Sequence, residues 1–311
     1  MTVRFAWILL LAGCLTDPGE PSAVAEAPNL GTVSAAGWPP PGGALAEGDA
    51  ASPAPVAAVR VAAIDTMGFT REASPGVARG FDLDGKVSAK GDESTCGHGD
   101  LMSPDGLAGV DNQLALLVPL FDLVGIGAVE GLIQGAIEDG GLLLMIQLEG
   151  LDDITEDDSV TATLRVGQGK PLLGTDGLLL ASQTFRPNPA YPDSPLPGAH
   201  VTGGVLHAGP FETRLPIVVF GVHYELTVRN AVLRARVTWD GGLEDGLLGG
   251  GVPIADLMAI ATVADSADFG VLAAVEMLLN GAGDLVRGAD GECAELSAAL
   301  TFSAVGAFLQ E

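Results

Sequence analysis

The period of apolar and polar positions changes twice along this chain. From Val110 to Glu138 the apolar residues Leu114, Leu117, Val118, Phe121, Val124, Val129, Leu132, Ile133 and Ile137 recur every third or fourth position, with Asp111 or Asn112 placed to cap the start. One long helix or two short ones are predicted. Pro119, Gly125 and Gly127 predict a kink or break inside that stretch, and Asp122 and Glu130 argue against a membrane span. After Gly140 the period shortens. Runs at 142–148, 160–166, 178–185, 201–207, 212–220, 222–228 and 232–239 are short, rich in Val, Leu and Thr, and bounded by Gly, Pro or Asp. With no helices between them they imply antiparallel pairing. Residues 254–264 and 269–279 return to helical spacing, with Asn280 and Gly281 as a stop. Leu296, Ala298, Leu300, Phe302 and Ala304 then alternate with Ser297, Ala299, Thr301 and Ser303 in a closing strand. The expected fold class is α+β: an antiparallel sheet or sandwich of about seven to nine strands, with one N-terminal helical segment and two C-terminal helices packed on it.

The first 55 residues do not share these patterns. Arg4 is followed by an apolar run from Phe5 to Ala12 that is too short to cross a bilayer, and then by Leu11, Ala12, Gly13 and Cys14. Leu-Ala-Gly-Cys resembles the lipobox of bacterial lipoproteins. The resemblance implies cleavage before Cys14, removal of residues 1–13 as a signal peptide, and lipidation of Cys14. Several acyl chains make a stable anchor where one is marginal. Leu15, rather than Asp, follows the Cys, which resembles outer-membrane sorting. Residues 14–55 are dominated by Pro, Ala, Gly, Glu and Ser, and Trp38 precedes three prolines, so they read as a disordered stalk. A single folded domain is expected over 56–311. The address implied is the cell envelope, lipid-anchored, at the outer membrane on its periplasmic or surface face.

Charge narrows the partners. The 311 residues carry 40 Asp and Glu against 14 Lys and Arg, a formal net charge of −26. A mean hydropathy of +0.38 nonetheless supplies a real core. Such a chain repels a phosphate backbone, so nucleic acid is excluded as a partner. With Cys14 lipidated, Cys96 and Cys293 remain as an even pair in an oxidising compartment, and a disulfide between them would close most of the folded region into one loop.

Candidate chemistry concentrates between Phe81 and Asn112. Asp82, Asp84, Asp92, Asp100, Asp105 and Asp111 lie there among glycines 85, 91, 97, 99, 106 and 109. Hard oxygen ligands on a turning loop suit Ca²⁺, which takes six to eight oxygens in flexible geometry. Asp82, Asp84, Gly85 and Ser88 resemble a truncated D-x-D-G loop, but the closing Glu and flanking helices of an EF-hand are missing. A solvated turn, its Asp side chains accepting backbone hydrogen bonds, is the other reading. Asp152, Asp153, Glu156, Asp157 and Asp158 form a second, similar cluster. His207 and His223 are placed to face each other across strands, and Glu212 and Arg214 suggest a structural ion pair.

Phe81 to Gly85 also resembles the first motif of haloacid-dehalogenase-type phosphatases. That implies Asp82 as nucleophile, Asp84 as acid/base, Mg²⁺ between them, a later acidic pair such as Asp152 and Asp153, and a parallel sheet. Lys86 stands where that family has Thr. Over most of the folded region, the segment from Gly80 through Cys96, Ser103 to Gly106, Gly109 to Gln113, and Asp290, Gly291, Cys293 and Ser297 resembles a group of uncharacterised predicted lipoproteins of GC-rich Gram-negative bacteria. This second resemblance implies address and one folded unit, and no activity. The sequence therefore points to a non-enzymatic envelope lipoprotein with a binding or structural role, stabilised by Ca²⁺ through its acidic loop, whose partner is an unknown envelope protein. The alternative is a carrier of an apolar ligand or lipid beneath the helices.

Overall fold

The computed structural model describes residues 59–123, 128–219, 222–264 and 272–310. Leu11 to Cys14, the stalk and the expected domain start at Val56 lie outside the described residues. The chain opens with β1 (Arg60–Phe69) and a small four-stranded sheet of β2 (Glu72–Ser74), β3 (Val77–Ala78), β4 (Leu101–Met102) and β5 (Ala108–Val110). Between β3 and β4 runs the acidic loop, which carries one 3-10 turn at Glu93–Thr95. Two helices follow, α1 (Leu114–Leu123) and α2 (Ala128–Asp139), so the helical segment is divided, with Pro119 accommodated inside α1. Gly125 and Gly127 fall in the interval outside the described residues.

The strands that follow are β6 (Leu144–Glu149), β7 (Thr161–Gln168), β8 (Thr184–Pro187), β9 (Ser194–Leu196), β10 (His200–Thr202), β11 (Val205–Val219), β12 (Val222–Val237) and β13 (Leu243–Pro253). Helices α3 (Ile254–Ala264) and α4 (Leu272–Asn280), then β14 (Leu285–Arg287) and β15 (Cys293–Leu309), complete the chain. Among the described residues no helix is long and apolar enough to cross a membrane.

An 11-stranded sheet dominates, in the order β1-β6-β7-β8-β15-β13-β12-β11-β10, with β9 on β7 and β14 on β15. β1 pairs antiparallel with β6 on one side and with β15 on the other. The hydrogen-bond path through β1, β6, β7, β8 and β15 therefore returns to its start, which removes exposed edges from that part of the sheet. The main cluster of buried residues, including Ile64, Leu143, Leu144, Met145, Ile146, Leu206 and Leu233, lies along these strands, with Ile133 and Ala136 of α2 packed against it. A second cluster joins Leu117 of α1, Ala261 of α3, and Val275 and Leu279 of α4 to Leu296 at the start of β15. The helices thus sit where apolar stripes meet a sheet that cannot bury its own face.

Several expectations are corrected. The α+β class holds in its coarse form, a predominant sheet with helices packed on it, but the strands outnumber the seven to nine expected, because several of them have the composition of loops. β13 is the clearest: Leu-Glu-Asp-Gly-Leu-Leu-Gly-Gly-Gly-Val-Pro reads as a turn, yet it lies between β12 and β15 and is buried from Gly246 to Pro253. A Cβ on Gly246 would meet the Phe302 ring at 2.6 Å, one on Gly249 would meet Phe81 at 2.6 Å, and one on Gly250 would meet Val228 at 2.6 Å. Glycine is required there by close approach from both sides. The run at 178–185 forms a strand only from Thr184, and 201–207 is split by the Gly203–Gly204 turn into β10 and β11. The two runs at 222–239 are one long strand with bulges. Residues 254–264 form a helix with the expected bounds.

Candidate metal centre

The acidic centre is built where the small sheet meets the loop after β3. Phe81 and Asp111 form an isolated antiparallel bridge, with Asp111 N–H donating to the Phe81 carbonyl at 2.8 Å. This brings the start of the loop beside the end of β5. Asp111 is 2% exposed, and its Oδ2 accepts from the backbone N–H groups of Leu83 at 2.6 Å and Asp84 at 3.2 Å. The next residue locks the turn: Asn112 Nδ2 donates to the Arg79 carbonyl at 2.7 Å and to Thr70 Oγ1. Asn112 Oδ1 accepts from Ala115 N–H at the start of α1. Of the two cap candidates, Asn112 caps and Asp111 faces the acidic loop.

Asp82, Asp84 and Asp111 each offer a carboxylate oxygen, and these oxygens lie within 4.8 Å of one another. Two ligands of one Ca²⁺ stand at most about 4.6–5.2 Å apart, twice the usual 2.3–2.6 Å bond, so a single ion can reach all three. Within the loop Asp82 Oδ1 accepts from Gly85 N–H at 2.7 Å and Asp84 Oδ1 from Lys86 N–H at 2.9 Å. Lys86 Nζ reaches Asp84 Oδ2 only at 4.0 Å.

Asp100 supports this centre from the start of β4. Its Oδ2 accepts from Ser88 N–H at 2.5 Å, and Asp100 N–H donates to the Ser88 carbonyl. Burial raises its carboxyl above the usual range, reinforced by the charges of Asp84 and Asp82. Burial likewise pushes Asp111 up to about 7, and Asp100, Asp84 and Asp284 add to the repulsion. Acidic groups crowded without a balancing cation favour the protonated form.

The remaining expected ligands are not gathered. Asp92 caps the 3-10 turn, accepting from Ser94 N–H at 2.8 Å, and those bonds hold its carboxyl below the usual range. Asp105 occupies the β4–β5 turn and lines a separate groove. In the second cluster Asp157 accepts from Asp152 N–H and Ser159 N–H, and Asp153 accepts from Thr155 N–H. Its side chains serve turns, as the solvated reading anticipated. His207 stacks on His200, with ring centroids 5.3 Å apart, and His223 pairs with Val218. Arg214 pairs with Glu225 across the hairpin rather than with Glu212.

One acidic residue was not legible in advance. Asp284, 3% exposed, accepts from Ser297 N–H at 2.7 Å and Ser297 Oγ at 2.5 Å. Ser297 Oγ in turn accepts from Gln113 N–H at 2.8 Å, beside the Asp111 turn. Burial pushes Asp284 up to about 7. Its only sequence signal is a lone Asp after Gly281, Ala282 and Gly283, and Ser297 alternates as an outward-facing residue would.

The Sγ atoms of Cys96 and Cys293 lie at a disulfide distance, 2.05 Å, across a sequence separation of 197 residues. This ties the acidic loop to the start of β15. The strand that would precede a haloacid-dehalogenase motif is reduced to the two residues of β3 and the Phe81–Asp111 bridge, in the small sheet's vicinity, and the large sheet is antiparallel apart from β8 against β15. The fold and centre define a mainly β protein with an acidic centre, buried only at Asp111, whose loop a cystine ties to β15. No family model, curated protein or solved structure matches the chain.

Proposed function

We propose that this chain is a lipid-anchored cell-envelope protein whose folded region is a non-enzymatic binding module, held in its working shape by Ca²⁺ at Asp82, Asp84 and Asp111. One observation carries the ion reading: three carboxylate oxygens lie within 4.8 Å, one of them on a buried side chain. The cystine pair supports an oxidising compartment, and Leu11-Ala12-Gly13-Cys14 supports the anchor. An ion would offset the self-repulsion of a chain with net charge −26 and link the β5 end to the loop after β3.

Thermal unfolding in EDTA and in millimolar Ca²⁺ or Mg²⁺ tests this. Ca²⁺ is expected to raise the midpoint, by the equivalent of about 2.7 kcal/mol at a hundredfold excess over its Kd. The rise is expected to vanish in Asp82→Asn/Asp84→Asn and in Asp111→Asn. A chain indifferent to both ions would sink the Ca²⁺ reading, and a Mg²⁺ preference would return weight to Asp82 as a phosphatase nucleophile. For the anchor, Cys14→Ser is expected to abolish incorporation of a labelled fatty acid and move the protein from the membrane to the soluble fraction. Undiminished labelling would refute lipidation at Cys14.

A further inference from the structure

A groove of about 490 Å³ is lined by none of Asp82, Asp84 and Asp111 and so lies outside that centre. Its walls carry Arg79, Arg234, Arg236 and His207. Strand register explains the convergence: His207 stands opposite Arg234 and Val205 opposite Arg236 in the β11–β12 pair, so the two arginines, at i and i+2, share one sheet face. Arg79 arrives from the loop after β3, where its Nη2 donates to the Asp245 carbonyl at 3.1 Å. Arg234 lies over the Phe81 ring, 5.9 Å from its centroid, which orients the guanidinium without neutralising it.

The charge balance makes this arrangement unusual. The chain has 40 acidic residues for 14 basic ones, and among the described residues Arg71, Arg165, Arg214, Arg229 and Arg287 all make ion pairs. Arg79, Arg234 and Arg236 make none. Arg60 and Arg186 make none either, but neither lines this groove, whereas the unpaired Arg79, Arg234 and Arg236 converge on it. Asp105 and Asp245 also line the groove and Glu244 is the strand partner of Arg236, yet none of these carboxylates pairs with them. Like charges side by side on a sheet face are destabilising. Three guanidinium forks left without carboxylates in an acid-rich protein match a multiply charged oxyanion, which arginine binds through paired N–H donors.

We infer that Arg79, Arg234 and Arg236, with His207, form a binding site for a phosphate monoester. The volume admits the phosphate and a group the size of a sugar, and the shared chemistry is the phosphate, whether on a soluble metabolite or on a lipid headgroup. The site does not depend on the Ca²⁺ reading, so it is tested on the full chain in EDTA.

Isothermal titration at constant ionic strength with inorganic phosphate and glucose 6-phosphate, using glucose as the uncharged control, covers a soluble source. Sedimentation with vesicles containing phosphatidic acid, against phosphatidylcholine alone, covers a lipid source. Saturable binding in either arm, weakened about tenfold or more in Arg234→Gln and in Arg236→Gln, is expected from loss of charge-assisted hydrogen bonds. Arg60→Gln, remote from the groove, is expected to bind as the parent does. Urea midpoints without phosphate confirm that each variant is folded, and Arg234→Lys, which keeps charge but loses the fork, is expected to fall between parent and Gln variant. Absence of saturable binding in both arms, or binding that folded Arg234→Gln and Arg236→Gln retain in full, would overturn the site.

Discussion

Replacing Cys96 and Cys293 together by serine is expected to lower the unfolding free energy by about 5 kcal/mol, the chain-entropy value for a cross-link closing a loop of this length. The 197-residue separation encloses every strand from β4 to β14. An unfolded chain released from that constraint gains far more freedom than the folded one. Native proteins hold only about 5–15 kcal/mol in all, so the double variant is expected to unfold at much lower urea, with a larger m-value because its unfolded state is more expanded. The staple also anchors the 3-10 turn, where Arg287 Nη1 donates to the Glu93 carbonyl at 2.6 Å. The Ca²⁺-dependent rise in midpoint is therefore expected to shrink in the variant as the acidic loop loosens. Equal urea midpoints for parent and double variant, or a parent insensitive to reductant, would show that the cross-link does not constrain this chain in solution.

In EDTA, stability is expected to fall as pH rises from about 4 to about 7. Asp111 and Asp284 are both pushed up to about 7 by burial, against about 3.9 in an unfolded chain. Between those values the folded state holds protons that the unfolded state has released. Each group then lowers stability as pH rises through this window, and above pH 7 both states are ionised and the slope ends. The stabilising contribution is whole below the unfolded pKa and lost as pH passes through the folded one. Carboxyls held low by hydrogen bonds, such as Asp92, Asp157 and Asp240, titrate below this window and act in the opposite sense.

Asp284→Asn separates this effect from general repulsion in an acidic chain. The amide fills the same space, its oxygen can still accept from Ser297 N–H, and it carries no charge into the core. The variant is expected to match the parent at about pH 4, exceed it at pH 8, and show a slope reduced by about half. Urea midpoints at unit pH steps give the comparison. If parent and variant run parallel from pH 5 to 8, Asp284 is not titrating in that range. Because Ca²⁺ must displace the Asp111 proton, its stabilising effect is expected to increase as pH rises towards 7.

The two predictions rest on residues that were unequally legible. Cys96 and Cys293 could be paired by elimination once Cys14 was assigned to lipid, whatever the fold between them. Asp284 could not be placed, since it meets the Asp111 turn only through Ser297 on β15, and no local pattern encodes that meeting. β13 was illegible for a related reason. Its glycines are selected by Phe302, Phe81 and Val228 on neighbouring elements, so its own composition lacks the Val, Ile and aromatic residues that mark strands.

Local periodicity by itself determined α3, whose apolar spacing needs no partner to be read. It also determined the core segments of β6, β7 and β15, whose apolar runs must be buried in any fold. Residue type alone nominated Asp82, Asp84 and Asp111 as oxygen ligands. Only the tertiary structure separated them from Asp92 and Asp105, gave Asp100 its supporting place, and set Arg79 beside Arg234 and Arg236. These are long-range juxtapositions created by strand register and chain crossings, and a chain's local pattern carries no information about which distant residue will lie opposite.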